Sequence, residues 1–230
     1  MRQITPKAIT VFSCLTVINL IGTAGLYLFL NQNINVSKNI LFVAMPLFYF
    51  FSTILTYRLV FYYLGFPNYN VLKSSKEDFA FQLYVLYYLI YFNFFVHNTL
   101  LPVPLSKIFH QLLGAKFGAG SYSPGIILDP PYVEIGKNSI VGFGAVLCSH
   151  ALEGENVWFD KIYIGNDVTI GLRSMIMPGV IIEDAAIVAA GALVTKNSHI
   201  KTGEVWAGIP AKRIQKSTTD IIPSIANYAS

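Results

Sequence analysis

Hydrophobic positions cluster in two different ways along this chain. The first third reads as long uninterrupted apolar runs. Ile9 to Leu30 is a stretch of 22 residues without a charged side chain, long enough as a helix to cross about 30 Å of hydrocarbon. Asn31 to Asn39 reads as a polar loop. A second run covers Ile40 to Leu64, with Pro46 early enough to be tolerated as a kink and Arg58 placed to snorkel toward the interface. Phe79 to Leu101 is apolar too, but it is rich in tyrosine (Tyr84, Tyr87, Tyr88, Tyr91) and interrupted by Gln82, Asn93, His97 and Asn98. Tyrosine-rich helices favour the headgroup layer, so this segment is expected to lie in the membrane interface, ended by Pro102 and Pro104. Leu105 to Gly114 predicts a short amphipathic lead-in helix.

After residue 114 the pattern changes to a period of six. Ile164, Ile170, Ile176, Ile182, Val188, Val194 and Ile200 are all aliphatic, and four positions beyond the first six come Val168, Ser174, Val180, Ala186, Ala192 and Ser198. An earlier block, Ile135, Val141 and Leu147, keeps the same spacing, and Phe117 extends it backwards more weakly through Ser123 and Asp129. Six fits neither the 3.6 of an α-helix nor the two of a plain strand. It fits a coil with three short flat faces, one aliphatic residue pointing inward per face, stacked rung upon rung.

Charge divides at the same place. Residues 1–106 hold six Lys/Arg and two acidic residues, whereas residues 107–230 hold ten of each. A neutral second half lacks the clustered cations that nucleic acid demands, so no nucleic-acid partner is expected. The excess of basic residues fits membrane flanks: Arg2 and Lys7 precede the first run, Lys73 and Lys76 follow the second, and only Lys38 lies between. The positive-inside rule then gives a hairpin with both ends in the cytoplasm. The expected location is a multi-pass protein, of the bacterial inner-membrane kind, with its second half cytoplasmic. Cys14 and Cys148 fall in different halves and form neither a disulfide framework nor a metal motif.

The segments Ile164-Gly165-Asn166-Asp167-Val168, Met177-Pro178-Gly179-Val180, Ala190-Gly191-Ala192-Leu193-Val194-Thr195-Lys196 and Trp206-Ala207-Gly208-Ile209-Pro210-Ala211-Lys212 resemble the hexapeptide-repeat acyltransferases. Leu113-Gly114-Ala115-Lys116, Asp129-Pro130-Pro131 and His150-Ala151-Leu152-Glu153-Gly154 look like the membrane-linked acyltransferase-like domains of ε-poly-lysine-synthetase type. Glu183 departs from the pattern, standing where glycine is usual, and Met177 and Ala189 are less common choices. The resemblance implies a left-handed parallel β-helix, a homotrimer with active sites between subunits, and acetyl-CoA or another acyl-CoA as donor, with no metal. It also implies donor contacts at Ala190, Thr195, Lys196 and Lys212. The expected organisation is a transmembrane helical hairpin over 1–78, interfacial and lead-in helices over 79–114, the β-helix over 115–214 and a tail over 215–230.

From Leu147 the register predicts an aliphatic residue at position 153, finds Glu153, and resumes at Ile164 one residue out of phase. Glu153 to Lys161 is therefore read as an excursion from the coil, with His150 at its edge. Acyl transfer requires removal of a proton from the attacking hydroxyl or amine, and imidazole titrates in the right range. Of four histidines, His97, His110 and His199 read as interfacial or solvated side chains; His150, beside the break and at the family's catalytic position, reads as the base. Glu153 either orients that imidazole or is a solvated loop carboxylate. Cys148 reads as a small residue packed in the coil, and Trp206 as a cap on the column. The expected activity is transfer of an acetyl or similar group to a hydroxyl of a membrane-proximal acceptor, such as a lipid-linked glycan, in contact with membrane lipid. The alternatives are amide formation on an amine, a non-catalytic membrane scaffold, and a γ-carbonic-anhydrase-like zinc enzyme, which needs three histidines that this spacing does not supply.

Overall fold

The computed structural model describes residues 3–34, 37–67, 70–97 and 101–214; Arg2, residues 98–100 and the tail expected at 215–230 lie outside the described residues. The chain forms two compact units, one of Met1–Ala115 with His150–Asp160 and one of Lys116–Ser149 with Lys161–Ser230.

The first unit is helical, with a small sheet. Helix α1 (Pro6–Asn33) opens at Thr5, whose hydroxyl accepts the Ala8 N–H, with proline in the first turn where its missing N–H costs nothing. Helix α2 (Lys38–Leu64) ends at Gly65. The polar loop expected over 31–39 is shorter than read, because Asn31–Asn33 complete the last turn of α1 and Lys38 and Asn39 begin α2. Helix α3 (Lys76–His97) is continuous through a π-turn at Tyr88–Phe92. Its start is fixed by the Ser75 hydroxyl accepting the Asp78 N–H, with Glu77 and Asp78 favourable to the helix dipole. Pro102 and Pro104 do not so much end α3 as begin helix α4 (Val103–Leu113), which stops at Gly114 with φ of 120°.

α1, α2 and α3 are each long and apolar enough to cross a membrane. α1 and α2 leave large apolar side chains on their surface, Ile21 at 67 % and Phe42 at 78 % exposure among them, as helices facing lipid would. Some of the polar residues of α3 find partners on the other helices, whereas His97 at its end is exposed. Thr5 donates through both its N–H and its hydroxyl to Gln82 Oε1, and Gln82 Nε2 donates to Asp78 Oδ2. The Tyr91 phenol bonds to Thr16 Oγ1 at 3.1 Å and to the Tyr49 phenol at 2.8 Å. These bonds tie α3 to α1 and α2 at points where apolar packing alone has no directional preference.

The second unit is the coil. Its walls are three sheets of short parallel strands. One stacks Lys116–Phe117, Val133–Ile135, Ile162–Ile164, Ile181–Ile182 and His199–Ile200; the second stacks Ile140–Val141, Thr169–Ile170, Ile187–Val188 and Val205–Gly208; the third stacks Ile126–Ile127, Val146–Leu147, Met175–Ile176 and Leu193–Val194. The predicted inward residues form the core: Ile135, Val141, Leu147, Ile164 and every sixth residue to Ile200 are 3 % exposed or less. In the first rung, Ser123 is buried, but Ile127 rather than Asp129 faces inward, paired with Leu147. A 3-10 turn at Pro130–Tyr132 lengthens that rung. The rungs lie so close that a Cβ on Gly171 would sit 2.5 Å from the carbonyl carbon of Ala189. Ala211–Arg213 folds back antiparallel on Val205–Gly208 and covers the edge of that sheet.

Candidate active site

The excursion read over 153–161 runs from His150 to Asp160, and it is a β-hairpin rather than a loop. Strand His150–Glu153 pairs antiparallel with Asn156–Phe159, His150 opposite Phe159 and Glu153 opposite Asn156, around a tight turn in which Gly154 has φ of 62°. A third strand, Asn70–Val71, pairs with Trp158 and Val157 from the other side. The hairpin also explains the apparent slip in register. Ile164 follows Leu147 by seventeen positions; taking out the eleven of His150–Asp160 leaves six. The coil never loses phase.

His150 is the first residue of the hairpin and is half-buried, its ring 5.8 Å from that of Phe159 at 46°. Glu153 is exposed, three residues along the same strand. Side chains alternate across a strand at about 3.3 Å per residue, which puts the two on opposite faces about 10 Å apart. Glu153 lies at the hairpin tip, next to the turn, while His150 lies at its root.

The root of the hairpin is held within the coil. Asp129, buried at 2 % exposure, accepts the Ser149 N–H on Oδ2 at 3.1 Å, and the Cys148 N–H donates to Ile176 O at 3.0 Å. Cys148 is thus built into the rung, as expected. From spacing, Asp129 is only a weak inward position of the register, ahead of Pro130-Pro131 where the rung departs from six; its bond to the root of the hairpin carries no sequence signal. Two lysines brace the same rungs. Lys116 and Lys161 lie 2.8 Å and 3.4 Å from Glu134 Oε1, and these contacts, chiefly the Lys116 hydrogen bond, hold the Glu134 carboxyl below its usual range.

The other three histidines have structural places. His97 Nε2 lies 2.9 Å from the Tyr88 phenol. His110 is 3 % exposed in α4, and burial pushes its pKa down to about 4, so it is neutral at pH 7. His199 Nε2 lies 2.7 Å from Glu183 Oε1. The residues expected at the donor are all on the coil's late rungs: Ala190, Thr195 and Lys196 at exposed corners, with Thr195 Oγ1 3.2 Å from Ser198 Oγ, and Lys212 on the closing strand opposite Ala207. Trp206 is partly buried against the end of the core and donates to Glu204 Oε2. Glu183, the departure from glycine, accepts the N–H and hydroxyl of Thr202 as well as bonding His199.

Residues 161–196 match the profile of the hexapeptide repeat of succinyl-transferase, the same rungs whose inward residues recur every six. These rungs are hexapeptide repeats. The chain is 37 % identical over 105 residues to the mitochondrial gamma carbonic anhydrase 2 of Arabidopsis thaliana, covering 45 % of this chain and 38 % of that protein. It is 42 % identical over 83 residues to a 2,3,4,5-tetrahydropyridine-2,6-dicarboxylate N-acetyltransferase of Staphylococcus aureus (strain JH9), covering 36 % of this chain and 33 % of that protein. The chain therefore spans only about a third of the length of these relatives. Among solved structures, a galactoside acetyltransferase in complex with coenzyme A aligns at 25 % identity and a TM-score of 0.40, covering 54 % of this chain and 76 % of that one.

Proposed function

We propose that this hexapeptide-repeat protein is a membrane-anchored acyltransferase that moves an acetyl or similar group from acyl-CoA to a hydroxyl of a membrane-proximal acceptor, with His150 as general base. The observation that carries the reading is the hairpin. A hexapeptide coil, in phase on both sides, is interrupted by a hairpin of eleven residues that begins with a half-buried histidine, while the other three histidines have places elsewhere. In the reaction, imidazole takes the acceptor proton as its oxygen attacks the thioester carbonyl. The C–S bond breaks, and the imidazolium returns the proton to the departing CoA thiolate. Thr195, Lys196, Lys212 and the Ala190 backbone are the proposed donor contacts. The three long apolar helices support anchoring, and with it an acceptor presented at a membrane surface. His150→Ala is expected to lower turnover by about 10²–10⁴ with acyl-CoA affinity unchanged; wild-type turnover in a folded variant would remove the assignment.

The likeness to an N-acetyltransferase favours an amine acceptor as the second reading, since imidazole serves either nucleophile. Hydroxylamine separates them, because it cleaves an ester product and spares an amide. A carbonic-anhydrase activity would need three histidines on one zinc. It would have to draw on at least two of His97, His110 and His199, which hold the places just described.

A further inference from the structure

The hairpin that starts with His150 packs as part of the helical unit. A two-stranded hairpin by itself is marginally stable in water, and this one draws its support from the chain before residue 115. Asn70–Val71 adds the third strand. Val157 and Phe159, 1 % and 2 % exposed, are buried from the helix side. The Phe159 ring lies 6.0 Å from Phe81 at 64° and 6.0 Å from Tyr84 at 89°, both in the first half of α3, and it lies 5.8 Å from the His150 ring. Lys73 Nζ meets Glu155 Oε1 at 2.7 Å near the turn.

A strand backbone fixes where the His150 Cβ points but leaves the imidazole torsion broad. A neighbouring ring narrows it. Resting on His150 as the base, we infer that Phe159 is a positioning residue: seated against Phe81 and Tyr84, it sets the orientation of the His150 imidazole and makes α3 part of the catalytic apparatus. The helices then do more than anchor. Their packing decides whether the base is aimed, and a displacement of about 1 Å at such a site costs on the order of a hundredfold in rate.

The test uses the full chain in detergent micelles, with histidine carrying carbon-13 at ring Cε1. The activity probe is acetyl-CoA with water as acceptor, followed by release of the CoA thiol. Phe159→Leu keeps apolar volume and removes the ring. It is expected to move the His150 resonance, shift the midpoint of the pH–rate profile, and lower turnover about tenfold or more with the acetyl-CoA KM within about twofold. Phe159→Tyr is expected to restore all three. Leu152→Ala, an exposed change two residues from His150 in the same strand, should leave them unmoved. Phe159→Leu with an unmoved His150 resonance, pH profile and turnover overturns the inference. Wild-type turnover in His150→Ala would instead remove the base, and the resonance shift in Phe159→Leu would still report the contact.

Discussion

Excising the hairpin tests the register argument with a resolution of one residue. Deleting His150–Asp160 joins Ser149 to Lys161. The two ends should meet without strain, because His150 and Phe159 are directly opposed partners in an antiparallel pair, whose Cα atoms lie about 4.5–5.5 Å apart. Ile164 then falls six positions after Leu147, and Ile162 four positions after it, the slot filled elsewhere by Val168 and Val180. Deleting one residue more, through Lys161, leaves gaps of five and three. Because successive strand side chains point to opposite faces, Tyr163, now 46 % exposed, would turn inward, while Ile162 and Ile164, both fully buried, would turn out. Two buried isoleucines are worth about 3–6 kcal/mol, a large part of a domain's 5–15, or roughly 6–24 °C in Tm for a chain of this size. The assay is built in. Only two tryptophans exist, and Trp158 leaves with the hairpin, so Trp206 fluorescence reports the coil alone. The eleven-residue deletion should melt near the wild-type coil and the twelve-residue deletion far below it, both lacking activity. Equal melting of the two deletions would refute the idea that the hairpin is an in-phase insertion.

Three further outcomes are expected. Ser139 is fully buried, its hydroxyl donating to Gly165 O at 2.7 Å and accepting the Val168 N–H at 3.0 Å; Ser139→Ala should cost about 1–3 kcal/mol for each group left unpaired, read as a loss of midpoint in guanidinium melts. The Glu183 carboxyl is held below its usual range by the Thr202 hydroxyl and N–H and by His199. A depressed carboxylate stabilises above its unfolded pKa and ceases to as pH falls through the folded value, so the coil's Tm should drop on acidification, and less so in Glu183→Gln. A cysteine placed at Ser37, between α1 and α2, should react with an impermeant thiol reagent added outside intact cells if both ends of the hairpin are cytoplasmic; labelling only after lysis would reverse the orientation.

The coil is legible in the order of residues alone. Each rung needs one inward aliphatic residue per face, so the requirement repeats locally and can be counted from Phe117 to Ile200 without knowing any distant partner. The same locality exposed α1 and α2, whose apolar runs depend on nothing but length. It also marked His150, because the long interruption of the period after Leu147 shows where the chain leaves the coil. What spacing could not show was what the departing segment paired with. Asn70–Val71, Phe81 and Tyr84 lie about seventy-five to ninety positions away from their hairpin partners, and a two-residue strand carries no periodic signal. Glu153 is near His150 in sequence; strand alternation, known only once the segment is seen to be a hairpin, sends it to the other face. The partners of the α3 polar residues were hidden for the same reason: only the tertiary structure supplies Thr5 to Gln82, and Thr16 and Tyr49 to Tyr91. Periodic burial is written in the sequence because it is repeated, whereas a single long-range contact is decided only when the chain closes on itself.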